Sequence, residues 1–134
     1  MSTPLSIPVV ATTDIYPARF VTYDAAANKS VKESNDGDKL MFGVSSEATK
    51  NAPQTGGSSL AAESGDMIRV HGWGEDCLLK IGAGGCAAGD WLKPDNSGQG
   101  VTAAATATVG AIALEAAAVG ELCHVLVVPP MYMT

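Results

Sequence analysis

Apolar and polar side chains alternate along much of this chain. In ARFVTYDA (residues 18–25), Phe20 and Thr22 face one way while Val21 and Tyr23 face the other, which is the period-two pattern of a strand. KLMFGV, MIRVHGW, CLLKI and WLKP are further short apolar runs, bounded by Gly, Pro, Asn or Asp, and read as strands separated by turns. Gly37-Asp38, Gly65-Asp66, Gly89-Asp90 and Gly120-Glu121 each stand just before such a run. Gly supplies the positive φ of a tight turn, and the acid is expected to stay in water while the next residues enter a sheet. A Gly-acid pair in an enzyme can hold a metal or phosphate, but repetition at strand starts reads as turn punctuation. From Asp66 to Leu92 the pattern is strand, turn, strand, turn, strand.

The remaining segments are less regular. STPLSIPVVAT (residues 2–12) carries two prolines, so it is extended and reads as an arm rather than a core strand. Asn28-Lys29 reads as a turn, KESNDGD (32–38) as a polar loop, and PDNSGQG (94–100) as a turn. Residues 45–64 form a long, polar, Gly-rich loop, and loops of that length are functional or mobile. Residues 101–108, VTAAATAT, read as a weak strand.

The stretch VGAIALEAAAVGELCHVLVVPP (109–130) poses a choice. AIALEAAA is built of helix formers, yet a helix bounded by Gly110 and Gly120 would be shorter than the roughly 12 residues at which isolated helices become stable. Its only polar residue is Glu115. As a strand, Ile112 and Leu114 share one face and Ala111, Ala113 and Glu115 the other. AAAVGE then makes the turn and ELCHVLVV returns as a strand. That second strand is apolar on both faces, with Leu122, Leu126 and Val128 on one and Cys123, Val125 and Val127 on the other. A strand of this kind lies at the centre of a two-layer fold or is covered by another subunit.

Composition supports an all-β reading, mainly β with at most one or two short helices. The chain has 134 residues, enough for one domain with its own core. Hydrophobic residues make up 46% and charged residues 16%, with 15 Gly and 7 Pro to supply turns. Net charge is −6, and the eight Lys and Arg are scattered. Nucleic acid is therefore excluded as the main partner, because binding phosphates requires a basic footprint. The N-terminal MSTPLSIPVV has no charged n-region and no long apolar core, so no signal peptide is expected. No apolar run reaches the roughly 18 residues of a membrane span.

Candidate chemistry is thin. GAGGCA (82–87) fits a dinucleotide fingerprint, but no helical pattern follows it, and Asp90 stands where a phosphate loop needs Lys. His71, His124 and the cysteines Cys77, Cys86 and Cys123 lack the close pairing of zinc ligands. The cysteines have no CxxC spacing and are expected to be reduced thiols. A Cys–His nucleophile would need distant residues such as Cys77 and His124 to converge. Glu115 and Glu121 read as solvated ends of the last hairpin. Trp73 and Trp91 can stack on a sugar, or serve as core and interface anchors. No cofactor, metal or catalytic activity is expected, and elimination leaves a structural or binding role.

RFVTYDA, GVSSEAT, AGGCAAGDWLKPDNSGQ and VGAIALEAAAVGELCHVLVVPP, in that order, resemble the small capsid decoration (cement) proteins of tailed phages. The similarity runs from about residue 11 to 128 and is most specific in AGDWLKPDNSG (88–98) and GAIALEAAAVGEL (110–122). The chain departs from that pattern in its 45–64 loop and its proline-bearing N-terminus.

The resemblance implies a β-barrel or tulip-like domain, without enzymatic activity. Such a protein is made in the host cytoplasm and placed on the outer capsid surface of the virion. There it sits as a homotrimer at three-fold and quasi-three-fold positions and bridges neighbouring copies of the major capsid protein. The expected organisation is an extended arm at 1–12 and a single barrel domain at 13–134. Within the arm, Pro4, Leu5, Ser6, Ile7, Pro8 and Val9 are the candidate capsid-binding residues, extended and apolar enough to add a strand to an exposed sheet edge. The alternative is a small β module that binds carbohydrate or another ligand at the virion surface.

Overall fold

The computed structural model describes residues 9–24, 29–38, 41–45, 60–103 and 107–132. These form strands β1 (Val9–Ala11), β2 (Phe20–Tyr23), β3 (Ser30–Glu33), β4 (Met41–Ser45), β5 (Met67–Ile68), β6 (Val70–His71), β7 (Asp76–Lys80), β8 (Trp91–Pro94), β9 (Gly100–Thr102), β10 (Thr108–Ala113) and β11 (Leu122–Tyr132), with no helix among them. The all-β expectation holds.

One sheet has the order β5-β1-β3-β2-β4-β6. Its two edges are a single stretch of chain, since only Arg69 separates β5 from β6. Ile68 pairs with Val9 on β1, while His71 pairs with Val44 on β4. Residues 67–71 therefore fasten both edges and nearly close the sheet into a small barrel, which leaves little unpaired edge. MIRVHGW reads as one strand, but serving two partners breaks it at Arg69. The barrel is filled by Val9, Ala11, Ile15, Val21, Val31, Ala62 and Ile68.

The second sheet, β7-β11-β10-β8-β9, packs against the barrel. Between them lies a second core. Phe20, Met41 and Val44 come from the barrel, and Cys77, Leu79, Ile81, Leu92, Ala111, Ala113, Cys123, Val125 and Val127 from the sheet side. The alternation in β2 thus sends Phe20 into one core and Val21 into the other, both at most 1% exposed. Gly110 makes the close approach possible. It sits where the β10–β11 register shifts, and a Cβ there would come within 3.0 Å of Met41 Sδ and 3.1 Å of Phe20 Cε1.

The hairpin tip between β8 and β9 closes the end of this interface. Phe20 N–H donates to Gly98 O at 2.8 Å, Arg19 donates to Ser97 O at 3.1 Å, and Lys93 pairs with Asp36 at 3.0 Å.

The 109–130 stretch is two strands, as the pattern indicated. β10 ends at Ala113, and half-exposed Leu114 opens the corner. On β11, Cys123, Val125 and Val127 point into the core. The strand runs on through Pro129 and Pro130. Its pairing with β7 ends at Leu126↔Asp76, so these prolines, which lack a donor, fall where no β7 partner needs one.

Two local readings change. Ser30–Glu33 is a strand, although Lys32 and Glu33 open what reads as a polar loop, because Val31 turns into the barrel and the run pairs with β2. The weak strand at 101–108 resolves into the end of β9 and the start of β10, with 104–106 outside the described residues.

The acids of the Gly-acid pairs also close their own turns, with Asp38, Asp66 and Asp90 half-buried and Glu121 exposed. In each, the acid carboxylate accepts the N–H three residues back at 2.8–3.1 Å, and its own N–H returns to that residue's carbonyl at 2.9–3.2 Å. Gly37, Gly65, Gly89 and Gly120 take φ of 84–94°, so glycine is required there. Gly74-Glu75 before β7 repeats the motif: Gly74 has φ 86°, and Gly72 N–H donates to Glu75 at 3.0 Å.

Candidate interaction surface

The outer face of the second sheet carries a row of apolar side chains. Leu126 on β11 stands opposite Ile112 on β10, which stands opposite Trp91 on β8. All three are half-buried. The same register that buries Ala111 and Ala113 turns Ile112 outward, so the larger residue of AIA is the one presented. At the end of this face Leu122 pairs with Lys80. There the sheet runs into a cavity of about 300 Å³ lined by Tyr16, Pro17, Ala18, Arg19, Lys80, Gly120 and Leu122.

Tyr16 and Leu122 are 44% and 47% exposed, and the Arg19 guanidinium lies 5.3 Å from the Tyr16 ring centre, a cation–π distance. Lys80 N–H donates to Ala18 O at 2.9 Å, which anchors the cavity wall to β7. In a chain of net charge −6 this cavity gathers two cations. No sequence signal marked it, because Arg19 and Lys80 belong to separate elements that meet only through the fold.

The candidate residues named from the sequence are spread over the molecule. Pro4, Leu5, Ser6, Ile7 and Pro8 lie outside the described residues. Val9 belongs to β1, is 1% exposed, and spends its side chain on the barrel core. Residues 46–59 of the long loop also lie outside the described residues. Trp73 is 51% exposed at the β6–β7 turn, while Trp91 is on β8, so the two sit on different elements.

Cys77 points into the core and His124 lies on the opposite face of its sheet, so the imagined Cys77–His124 pair does not form. His124 instead faces Glu115 at 3.7 Å. Glu115 and Glu121 act separately, since Glu121 accepts from Ala118 N–H and Glu115 from His124 N–H at 3.2 Å. Gly84 and Gly85 of GAGGCA take φ of 87° and 65° in a turn, and no helix follows. Among the described residues no three His, Cys, Asp or Glu side chains group as metal ligands.

No protein-family model and no curated protein matches the sequence. The fold, a nearly closed small barrel backed by a five-stranded sheet, has a likeness among solved structures. The chain is similar in structure to the head fiber gp8.5 N base in bacteriophage phi29. The TM-score is 0.65 over 96% of this chain and 97% of that one, at 16% sequence identity. The resemblance to phage capsid decoration proteins carried by the residues thus meets a phage head protein in the fold.

Proposed function

We propose that the chain is a structural virion protein that binds the outer surface of a phage capsid as a homotrimer at three-fold and quasi-three-fold positions and stabilises the expanded shell. The observation that carries this reading is the likeness of fold, over nearly the whole chain, to a phage head protein. The outer face with Trp91, Ile112 and Leu126 supplies the subunit contact, and the arm residues Pro4–Pro8 supply a strand for a sheet edge of the major capsid protein. Three weak arms on one trimer bind far more firmly than one, because the second and third engagements are intramolecular. No catalytic role is assigned.

The test is co-sedimentation of the purified protein with capsids that lack it. Saturable binding supports the reading, and binding should weaken when residues 2–8 are removed. Protein that stays in the supernatant at every concentration overturns it. A second reading, a carbohydrate-binding module at the virion surface, is favoured by the exposure of Trp73 at 51%. A glycan array separates the two, since a capsid-binding subunit gives no glycan signal that Trp73→Ala removes.

A further inference from the structure

Two thiols far apart in sequence meet in the fold. Cys86 Sγ lies 3.8 Å from Cys123 Sγ. Cys123 is on β11 and fully buried. Cys86 is half-buried in the corner between β7 and β8, where its N–H and C=O exchange hydrogen bonds with Ala117 at 2.9 and 3.0 Å. The backbone around both sulfurs is therefore fixed without any bond between them. Cys86 also lines a surface concavity of about 570 Å³, together with Gly84, Gly85, Thr102 and Val119. A small oxidant reaches Cys86 from that side, whereas Cys123 lies behind it. Bonded sulfurs stand about 2.05 Å apart, so the pair must approach by under ~2 Å, a movement within reach of side-chain rotation.

We propose that Cys86 and Cys123 form an intrachain disulfide when the folded protein meets a peroxide, tying the β7–β8 corner to β11. In the first step the Cys86 thiolate takes one oxygen from the peroxide. The O–O bond breaks, and the other oxygen leaves as water, giving a sulfenic acid. In the second step the Cys123 sulfur attacks the Cys86 sulfur. The S–O bond breaks, and hydroxide leaves with the Cys123 proton as a second water. The two thiols lose two electrons and the peroxide gains them.

Burial pushes the Cys123 thiol up to about 11, with the neighbouring Cys86 adding to the shift, so Cys123 is not the sulfur oxidised first and gives up its proton only as it attacks the Cys86 sulfenic acid. Cys77 is passed over because the β7–β11 register sets it opposite Val125, with Leu79 opposite Cys123. The bond closes a ring over residues 86–123, which contains β8, β9 and β10 and so most of the second sheet.

The experiment exposes the reduced full-length protein to hydrogen peroxide and counts thiols in denaturant. The expected count falls from three to one, with a mass loss of about 2 Da and a peptide containing Cys86 joined to one containing Cys123. The melting temperature rises by about 5–10 °C and returns on adding dithiothreitol. Cys77→Ala keeps the response. Cys86→Ser, at a half-buried position that leaves the far-ultraviolet spectrum unchanged, removes it. Oxygen added to Cys86 while Cys123 remains titratable, a Cys77–Cys123 bond, or disulfide-linked dimers would each overturn the proposal.

Discussion

Ala87 and Asp90 hold each other twice. The Ala87 N–H donates to the Asp90 carboxylate at 2.9 Å, and the Asp90 N–H donates to the Ala87 carbonyl at 3.1 Å. The carboxylate also accepts from Thr102 Oγ1 at 3.2 Å, which ties the turn to β9. A side-chain acceptor that satisfies a loose backbone N–H is worth about 1 kcal/mol in the closely related helix caps. Asp90→Ala should therefore lower stability by about 1–2 kcal/mol, read as a shift in urea midpoint. Asp90→Asn keeps an acceptor and should lose less than half of that. Equal midpoints for the alanine variant and the parent would show that the carboxylate is solvated after all. Gly89, with φ 87°, forbids an easy Cβ, so Gly89→Ala should cost about 1–3 kcal/mol.

Gly110 and Phe20 set the distance between barrel and sheet. A methyl at Gly110 would press on Phe20 and Met41 at 3.0–3.1 Å. Gly110→Ala should cost about 1–3 kcal/mol by overpacking, and Phe20→Ala about 3–5 kcal/mol by leaving a cavity. Gly110 and Met41 are coupled, so Gly110→Ala combined with Met41→Ala should be less destabilising than the sum of the singles. A double-mutant cycle in urea measures this, and strict additivity would mean that the two positions do not share the interface.

The proposed trimer makes a claim about Ile112. Its side chain is turned outward in the row Trp91–Ile112–Leu126 and does not belong to either core. Ile112→Lys should leave the fold intact while reducing the particle from three chain masses of 13.6 kDa to one, read by light scattering after gel filtration. A parent protein that is already a single chain at capsid-binding concentrations would remove this face from consideration.

Much of this architecture was legible along the chain, because strands and tight turns are local devices. Alternation in FVTY and the glycines before apolar runs carry their own geometry, and positive φ at Gly37, Gly65, Gly89 and Gly120 confirms the turns. What was not legible depends on closure. MIRVHGW shows no mark of serving two strands at once, because the pairing of Ile68 with Val9 and of His71 with Val44 is decided by where the barrel ends meet. The AIA stretch does not say that alanines go inward, since side-chain size alone would favour burying Ile112. The register sets Ala113 opposite Val125 and Ala111 opposite Val127 on the core side, which turns Ile112 outward. The Cys86–Cys123 contact spans 37 positions and the Arg19–Lys80 cavity joins separate sheets, so neither leaves a local pattern.

Glu33 should give the protein a specific pH dependence. It lies at the barrel rim, where its carboxylate accepts Tyr16 N–H at 3.0 Å. Burial is the largest influence and pushes its pKa up; the Tyr16 hydrogen bond and Arg19 pull it down, and Asp95 adds a further upward push. The net direction is upward from 4.5. The folded protein therefore binds this proton more tightly than the unfolded chain does. The stability linked to Glu33 is fully present below the unfolded value and is lost as pH rises through the folded one. Glu33→Gln keeps an acceptor for Tyr16 but cannot titrate. Against the parent, the variant should gain relative stability as pH is raised from about 4 to about 7. Comparing urea midpoints of the two proteins across that range cancels the other titrating groups. A difference that is flat, or that runs the other way, would mean that the Tyr16 hydrogen bond and Arg19 outweigh burial at this site.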